Sequence, residues 1–235
     1  MLPLHDDIPA RSFPTVTVGL VAINVLFFFW ELQLGWRAEQ ALLQFTLIPV
    51  RYTNPDIAAH FGWFDQFLPF LTSMFLHGGW LHLLGNLWIL WIFGDNVEDR
   101  LGPGRYLLLY LAGGIAASLL HILTNLNSHI PTLGASGAIS AVMGAYFRFF
   151  PHARVVTMIP PFIFGPYIVL PAVLFLGLWF LLQFMSATLD LGRVGDVGGV
   201  AWWAHVGGFA FGVGASGFAR RIPPILKPRP DPWSR

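Results

Sequence analysis

Six stretches, about residues 13–33, 69–94, 104–124, 132–150, 167–189 and 200–219, run almost free of charge. Each approaches the roughly 20 residues that a helix needs to cross a hydrocarbon core of about 30 Å. The pattern predicts an all-α polytopic bundle of six transmembrane helices. Gly102-Pro103-Gly104 breaks the chain before the third helix, and Pro160-Pro161 with Gly165-Pro166 before the fifth, residues that oppose helix continuation. The run from Phe13 to Trp30 is too long and bulky for a cleaved signal, so it is expected to remain as the first helix. With no sign of a soluble second domain or an internal repeat, residues 1–222 are expected to form one six-helix domain. A short basic, proline-rich tail follows over 223–235.

Composition agrees: 55% of the 235 residues are hydrophobic and only 11% are charged, far from the quarter-charged make-up of soluble domains. The formal charge of +1 includes no long basic block, which argues against a nucleic-acid partner. With no cysteine, disulfides, thiolate metal sites and a cysteine nucleophile are excluded. The distribution of Lys and Arg tests topology, because cytoplasmic segments carry the excess. With the N-terminus inside, Arg11, Arg100, Arg105, Arg148, Arg154, Arg220, Arg221, Lys227, Arg229 and Arg235 are cytoplasmic, against Arg37, Arg51 and Arg193 outside. Both termini are therefore expected in the cytoplasm. No organelle transit segment or added helix precedes the six runs, which favours a bacterial cytoplasmic (inner) membrane.

The first outer connection, residues 34–68, carries Trp36, Phe45, Trp63, Phe64 and Phe67. Amphipathic aromatics settle at headgroup level, so this segment is expected to touch membrane lipid rather than extend as an ordinary loop.

Polar residues inside the apolar runs carry the candidate chemistry, since side chains buried at that depth mark pathways or reaction centres. In Gly134-Ala135-Ser136-Gly137 a serine lies twelve residues before Arg148, roughly 18 Å along a helix. If Arg148 marks the inner border, Ser136 sits roughly 10 Å below the outer surface, on a helix that starts within the membrane. Such a start leaves backbone N–H groups that lipid cannot satisfy, so it must face protein or a water-filled cavity. The same groups and the helix dipole favour an oxyanion. Taken alone, the four-residue word fits a packing helix, with its serine bonded back to its own backbone, at least as well.

The sixth run carries Ala204-His205-Val206-Gly207-Gly208. His205 precedes Gly208 by three positions and shares its side of the helix. Small residues there and at Gly137, Ala141, Gly144 and Ala145 form close-approach faces. Packing them brings His205 towards Ser136, the pair that activates a hydroxyl for acyl transfer. On the second helix His82 and Asn86 are four apart and share a face. Both can donate hydrogen bonds to an oxyanion, although each alone fits helix glue equally well. His77 lies off that line, as a supporting or cavity-lining group.

No carboxylate accompanies Ser136 and His205 in their helices, so a dyad rather than a triad is expected. No metal is expected, because His-Glu-x-x-His is absent and His77 and His82 do not align on one helical face. An aspartyl protease fits poorly, with Glu31, Asp95, Glu98 and Asp99 in loops or at helix ends.

Together, His82-Leu83-Leu84-Gly85-Asn86, Gly134-Ala135-Ser136-Gly137, and Ala204-His205 followed by Gly208 and Gly212 resemble the rhomboid proteases in order, helix placement and spacing. The resemblance runs from the first helix to about Arg220. It implies that Ser136 is the nucleophile and His205 its general base and later acid. It further implies that His82, Asn86 and the Ser136 N–H form the oxyanion hole, with Gly134 in the loop that shapes it. The fifth helix and residues 186–200 would form the lateral gate and cap. Val97-Glu98-Asp99-Arg100-Leu101-Gly102 also resembles the family, with a structural role implied for its Glu and Arg.

Two positions depart from the pattern. Leu68-Pro69 stands where many members have Trp-Arg, and Ser140 stands where some relatives carry an aromatic against the catalytic histidine. Trp202, Trp203 or a water is left to orient His205.

The expected function is that of an intramembrane serine endopeptidase cleaving single-span membrane proteins in or near the outer half of the bilayer, with no cofactor. A noncatalytic member that binds membrane clients would have no need of both Ser136 and His205. A transporter would be expected to show paired broken helices or repeated halves.

Overall fold

In the computed structural model, which describes residues 1–159, 167–190 and 200–217, the first apolar run folds as helix α1 (Thr15–Leu34). The connection after it holds α2 (Ala38–Leu42), α3 (Val50–Thr53), α4 (Pro55–Ala58) and α5 (Trp63–Thr72). The remaining helices are α6 (Trp80–Leu101), α7 (Pro103–Thr124), α8 (Ser136–Phe149), α9 (Ala172–Asp190) and α10 (Trp202–Ser216). Three strands, β1 (Leu2–Asp6), β2 (Arg154–Met158) and β3 (Tyr167–Pro171), pair antiparallel in the order β1-β2-β3.

Among the described residues α1, α7 and α9 are each long and apolar enough to cross a membrane, and the bent pair α5 and α6 qualifies when taken together. Their outward faces are apolar: Leu81 is 88% exposed and Leu123 67%. Polar residues such as Thr17, Asn24 and Glu31 are buried. Large apolar side chains outside with polar groups inside reverse the arrangement that water demands. The chain is a mostly helical membrane bundle.

At 14 and 15 residues, α8 and α10 reach only roughly 21–23 Å, short of the hydrocarbon core. They are central instead, and every residue of α8 from Gly137 to Tyr146 is buried. Backbone touches backbone along their seam. A Cβ at Gly212 would stand 1.9 Å from the Ala141 carbonyl oxygen, and one at Gly208 2.0 Å from that of Gly137. Gly212→Ala is therefore expected to destabilise the bundle by at least ~1–3 kcal/mol. Gly214→Ala, where a Cβ meets nothing within 4 Å, should leave stability near wild type. Thermal unfolding in detergent checks both, and equal midpoints would refute the close approach.

The run expected over 69–94 is not one helix. It divides into α5, a 3-10 turn at Ser73–Phe75, and α6, with a bend of 80°. Gly79 at φ +151° takes a conformation that side chains disfavour, and the buried Glu31 carboxylate accepts the His77 N–H at 3.1 and 3.2 Å. Together they hold the chain extended at the break.

At the other end of α6, Glu98 accepts hydrogen bonds from the N–H groups of Val16 and Thr17, each at 2.9 Å, and from the Thr17 hydroxyl. A carboxylate there satisfies the free donors and the positive dipole end of α1. Asp99 accepts from Arg11 N–H at 2.6 Å and from Ser12.

The fold also departs from purely helical in the β-sheet. Val155 and Thr157 are buried on one face of β2, and β1 is tied to the helices through Asp6, which accepts from Tyr146 and Asn96. Burial holds the Asp6 carboxyl above the ordinary carboxylate range, and the Tyr146 hydroxyl partly offsets it. Five-residue apolar runs do not distinguish strand from buried helix by periodicity. Accordingly the run expected as helix from 167 is strand through Pro171 and helix only from Ala172. The Pro160-Pro161 and Gly165-Pro166 breaks, most of the expected cap at 186–200, and the tail at 223–235 lie outside the described residues.

Candidate active site

The start of α8 is set by a loop pinned from two sides. Leu47 and Thr132 exchange backbone hydrogen bonds at 3.0 and 2.7 Å, and Val50 N–H donates to the Ser128 carbonyl. Gly134 N–H donates to the Ser73 carbonyl at 2.8 Å, with Gly134 at φ +125°. The chain turns there into the helix, and Ser136 takes the first helical position. The first turn of a helix has N–H groups without intrahelical partners and the positive dipole end.

The first outer connection braces this loop. Within it, the buried Arg51 donates to the carbonyls of Leu43 and Asp65 and lies 3.9 Å from the centre of the Phe61 ring. This internal clasp stands in a connection that ends in Leu68-Pro69, not Trp-Arg, just before the second helix. On α5, Trp63, Phe64 and Phe67 are all exposed.

Ser136, His82, Asn86 and His205 line one open cavity of about 1270 Å³. Its far wall is polar, with Asn125, Asn127, Ser128 and Asp190, and His121 held by Thr132 at 2.9 Å. A space of that size and polarity admits water to Ser136.

Two donors converge beside the serine. Gly78 N–H donates to His82 Nδ1 at 3.3 Å, so the neutral ring carries its proton on Nε2. A Cβ added to Gly134 would stand 2.6 Å from that Nε2 and 3.8 Å from Asn86 Nδ2. Asn86 Nδ2 is buried with no hydrogen-bond partner among the described residues, a costly state unless a ligand supplies one. Gly134 is thus needed both for its backbone angle and for the room it leaves. His77 is buried edge-on to the His82 ring, with centroids 5.2 Å apart, and supports it rather than lining the cavity.

His205 is held from α9. Its Nδ1 lies 2.7 Å from Gln183 Oε1, and its ring stands between Trp179, inclined at 31° and 6.0 Å away, and Trp202 at 6.2 Å. Trp203 packs on Phe184 instead. Ser140 lies in the seam between α8 and α10, its hydroxyl turned back on the Ser136 carbonyl at 2.7 Å. The aromatics against the histidine thus come from Trp179 of α9 and from Trp202 of α10, as expected for Trp202, and not from the Ser140 position of α8. Gln183 and Trp179 were missed from sequence, although an amide within an otherwise apolar helix was a readable signal. Among the described residues no hydrogen bond joins Ser136 to His205, and such contacts are commonly loose before substrate binds.

Residues 65–221 match the Rhomboid domain. The chain is 29% identical over 168 residues to Rhomboid protein 1, mitochondrial, of Saccharomyces cerevisiae, covering 67% of this chain and 44% of that protein. It is 30% identical over 222 residues to Presenilin-associated rhomboid-like protein A, mitochondrial, of Danio rerio, covering 91% and 51%. It is 35% identical over 133 residues to Rhomboid protease GluP of Bacillus subtilis, covering 56% and 24%. The chain thus spans about half or less of the length of these relatives. Mitochondrial and bacterial proteins both appear among them, so they lend no support to a bacterial inner membrane over an organelle. With the matched domain covering well over half of the chain, and with helices that suit a membrane bundle, this protein belongs to the rhomboid family.

Proposed function

We propose that this chain is an intramembrane serine endopeptidase that cleaves single-span membrane proteins in or near the outer half of the bilayer. The observation that carries the reading is the convergence of Ser136, His205, His82 Nε2 and Asn86 Nδ2, the last without a partner among the described residues, on one open cavity. The domain is taken as six spans with both termini cytoplasmic, the α5 aromatics lying in the outer headgroup layer.

In this reading Ser136 Oγ attacks the scissile carbonyl carbon while its proton passes to His205 Nε2. The oxyanion accepts hydrogen bonds from Asn86 Nδ2, His82 Nε2 and the Ser136 N–H. His205 then returns the proton to the leaving amine as the C–N bond breaks, leaving an acyl-enzyme on Ser136. Water from the cavity attacks that ester with His205 again as base, releasing the new carboxyl terminus and restoring the serine. No cofactor enters.

A fluorophosphonate probe tests the reading. Peptide mass spectrometry of the labelled protein should place one adduct on Ser136, with labelling strongly slowed in His205→Ala. An unlabelled wild-type protein, or equal labelling of Ser136→Ala, would favour a noncatalytic client-binding member of the family.

A further inference from the structure

We propose that Gln183 is the positioning residue of the general base, holding His205 in its reactive tautomer only while α9 is seated against α10. The proposal deepens the endopeptidase reading and rests on it. Ser136 can lose its proton only to an unprotonated ring nitrogen, and Nε2 is the nitrogen left for it, since Nδ1 faces Gln183 Oε1 at 2.7 Å. The amide oxygen accepts, so the Nδ1 proton stays in place and the Nε2 lone pair is turned towards the cavity. In a triad a carboxylate supplies this hold. Here a neutral amide supplies it, which avoids a buried charge in an apolar helix.

The surroundings of Gln183 match that role. Along α9, Leu176, Trp179, Gln183 and Ala187 recur at helical spacing and form the inward face, where Leu176, Gln183 and Ala187 are buried. Trp179 lies one turn before Gln183 and covers the His205 ring. One helix therefore provides both the hydrogen bond and the wall that fix the imidazole. The other titratable groups facing the cavity are His82 on α6, His121 on α7 and Asp190 at the end of α9; the Nδ1 contact is with Gln183.

Ser136 and His205 are fixed to each other by the glycine seam between α8 and α10, but Gln183 is on a third helix. The outer face of α9 is apolar, with Leu174, Leu178, Leu181 and Leu182 all exposed. An outward shift of α9 by about 1 Å lengthens the contact beyond hydrogen-bond range. The base is then free to rotate until the helix returns.

Gln183→Met keeps the volume and removes the acceptor, whereas Gln183→Glu keeps an oxygen at the same reach. Wild type and both variants are compared by thermal unfolding, by cleavage kinetics on a helix-containing reporter, and by 15N spectra of labelled histidine, with His205→Ala assigning the signal. Gln183→Met should fold normally, keep its KM and lose about 10–100-fold in kcat, with Gln183→Glu recovering most of it. The His205 signal should report a proton on Nδ1 in wild type and a tautomer mixture in Gln183→Met. Wild-type kcat and an unchanged tautomer in Gln183→Met would overturn the proposal. So would a loss of kcat matched by lower thermal stability and not recovered by Gln183→Glu. If the wild-type protein neither cleaves nor labels, the endopeptidase reading falls, while the spectra still decide whether Gln183 holds the Nδ1 proton.

Discussion

Ser136→Ala is expected to abolish cleavage of a transmembrane reporter, and His205→Ala to reduce it by about 10⁴–10⁶-fold in kcat. The size follows from interdependence: without the hydroxyl there is no acyl-enzyme, and without the imidazole the hydroxyl keeps its proton. The double variant should accordingly be no worse than either single one, because residues that act as a unit are not additive. Ser136→Ala does not threaten the fold. Ser136 is partly exposed at the cavity, and its hydroxyl is not what holds the α8 start, which Gly134 secures through Ser73. The measurement is cleavage of the reporter in proteoliposomes alongside thermal unfolding. Wild-type cleavage by Ser136→Ala would remove the serine mechanism altogether.

Asn86→Ala should lower kcat by about 10²–10³-fold with little change in KM, a loss of about 2.7–4 kcal/mol in transition-state stabilisation. Its Nδ2 is buried beside Gly134 and has no partner among the described residues. A developing negative charge would give that donor a protein-held partner it otherwise lacks among the described residues, which is the condition for lowering a barrier rather than merely binding substrate. Removing it relieves a buried polar group, so thermal stability should hold or rise slightly while turnover collapses. A structural asparagine predicts the opposite sign, lower stability with modest loss of activity. Steady-state kinetics together with unfolding midpoints distinguish the two. His82→Ala should act in the same direction, and the two losses should combine to less than their product, because both donors serve one oxygen.

Much of the fold, and which polar residues of the apolar runs line the cavity, is readable in the amino acids. Long charge-free runs identify membrane helices because lipid tolerates little else, and serine, histidine and asparagine stand out within them because burying polar groups is costly. Glycines three and four apart signal a seam of close backbones. The same logic marks Gln183, yet on α9 it stands remote in sequence from both Ser136 and His205, and spacing alone does not say which cavity it faces. The sheet was hidden for a different reason: each strand is five residues long, and β1 meets β2 across more than 140 positions. Likewise the bend at Leu76 to Gly79 depends on Glu31, which looks from sequence like an ordinary polar helix end and is in fact a buried carboxylate holding His77 N–H.

The membrane class, the helical character and the polar residues that are candidates for chemistry follow from the amino acids alone, because they depend on local composition and on 3.6-residue periodicity. Three-dimensional packing was needed to show that His82 turns its Nε2 to Gly134, that Asn86 Nδ2 has no partner among the described residues, and that His205 meets Gln183, Trp179 and Trp202 and not a side chain one turn after the serine. Those facts depend on which faces of α6, α8, α9 and α10 meet. Packing selects such contacts among residues far apart in the chain, and local pattern carries no record of the choice.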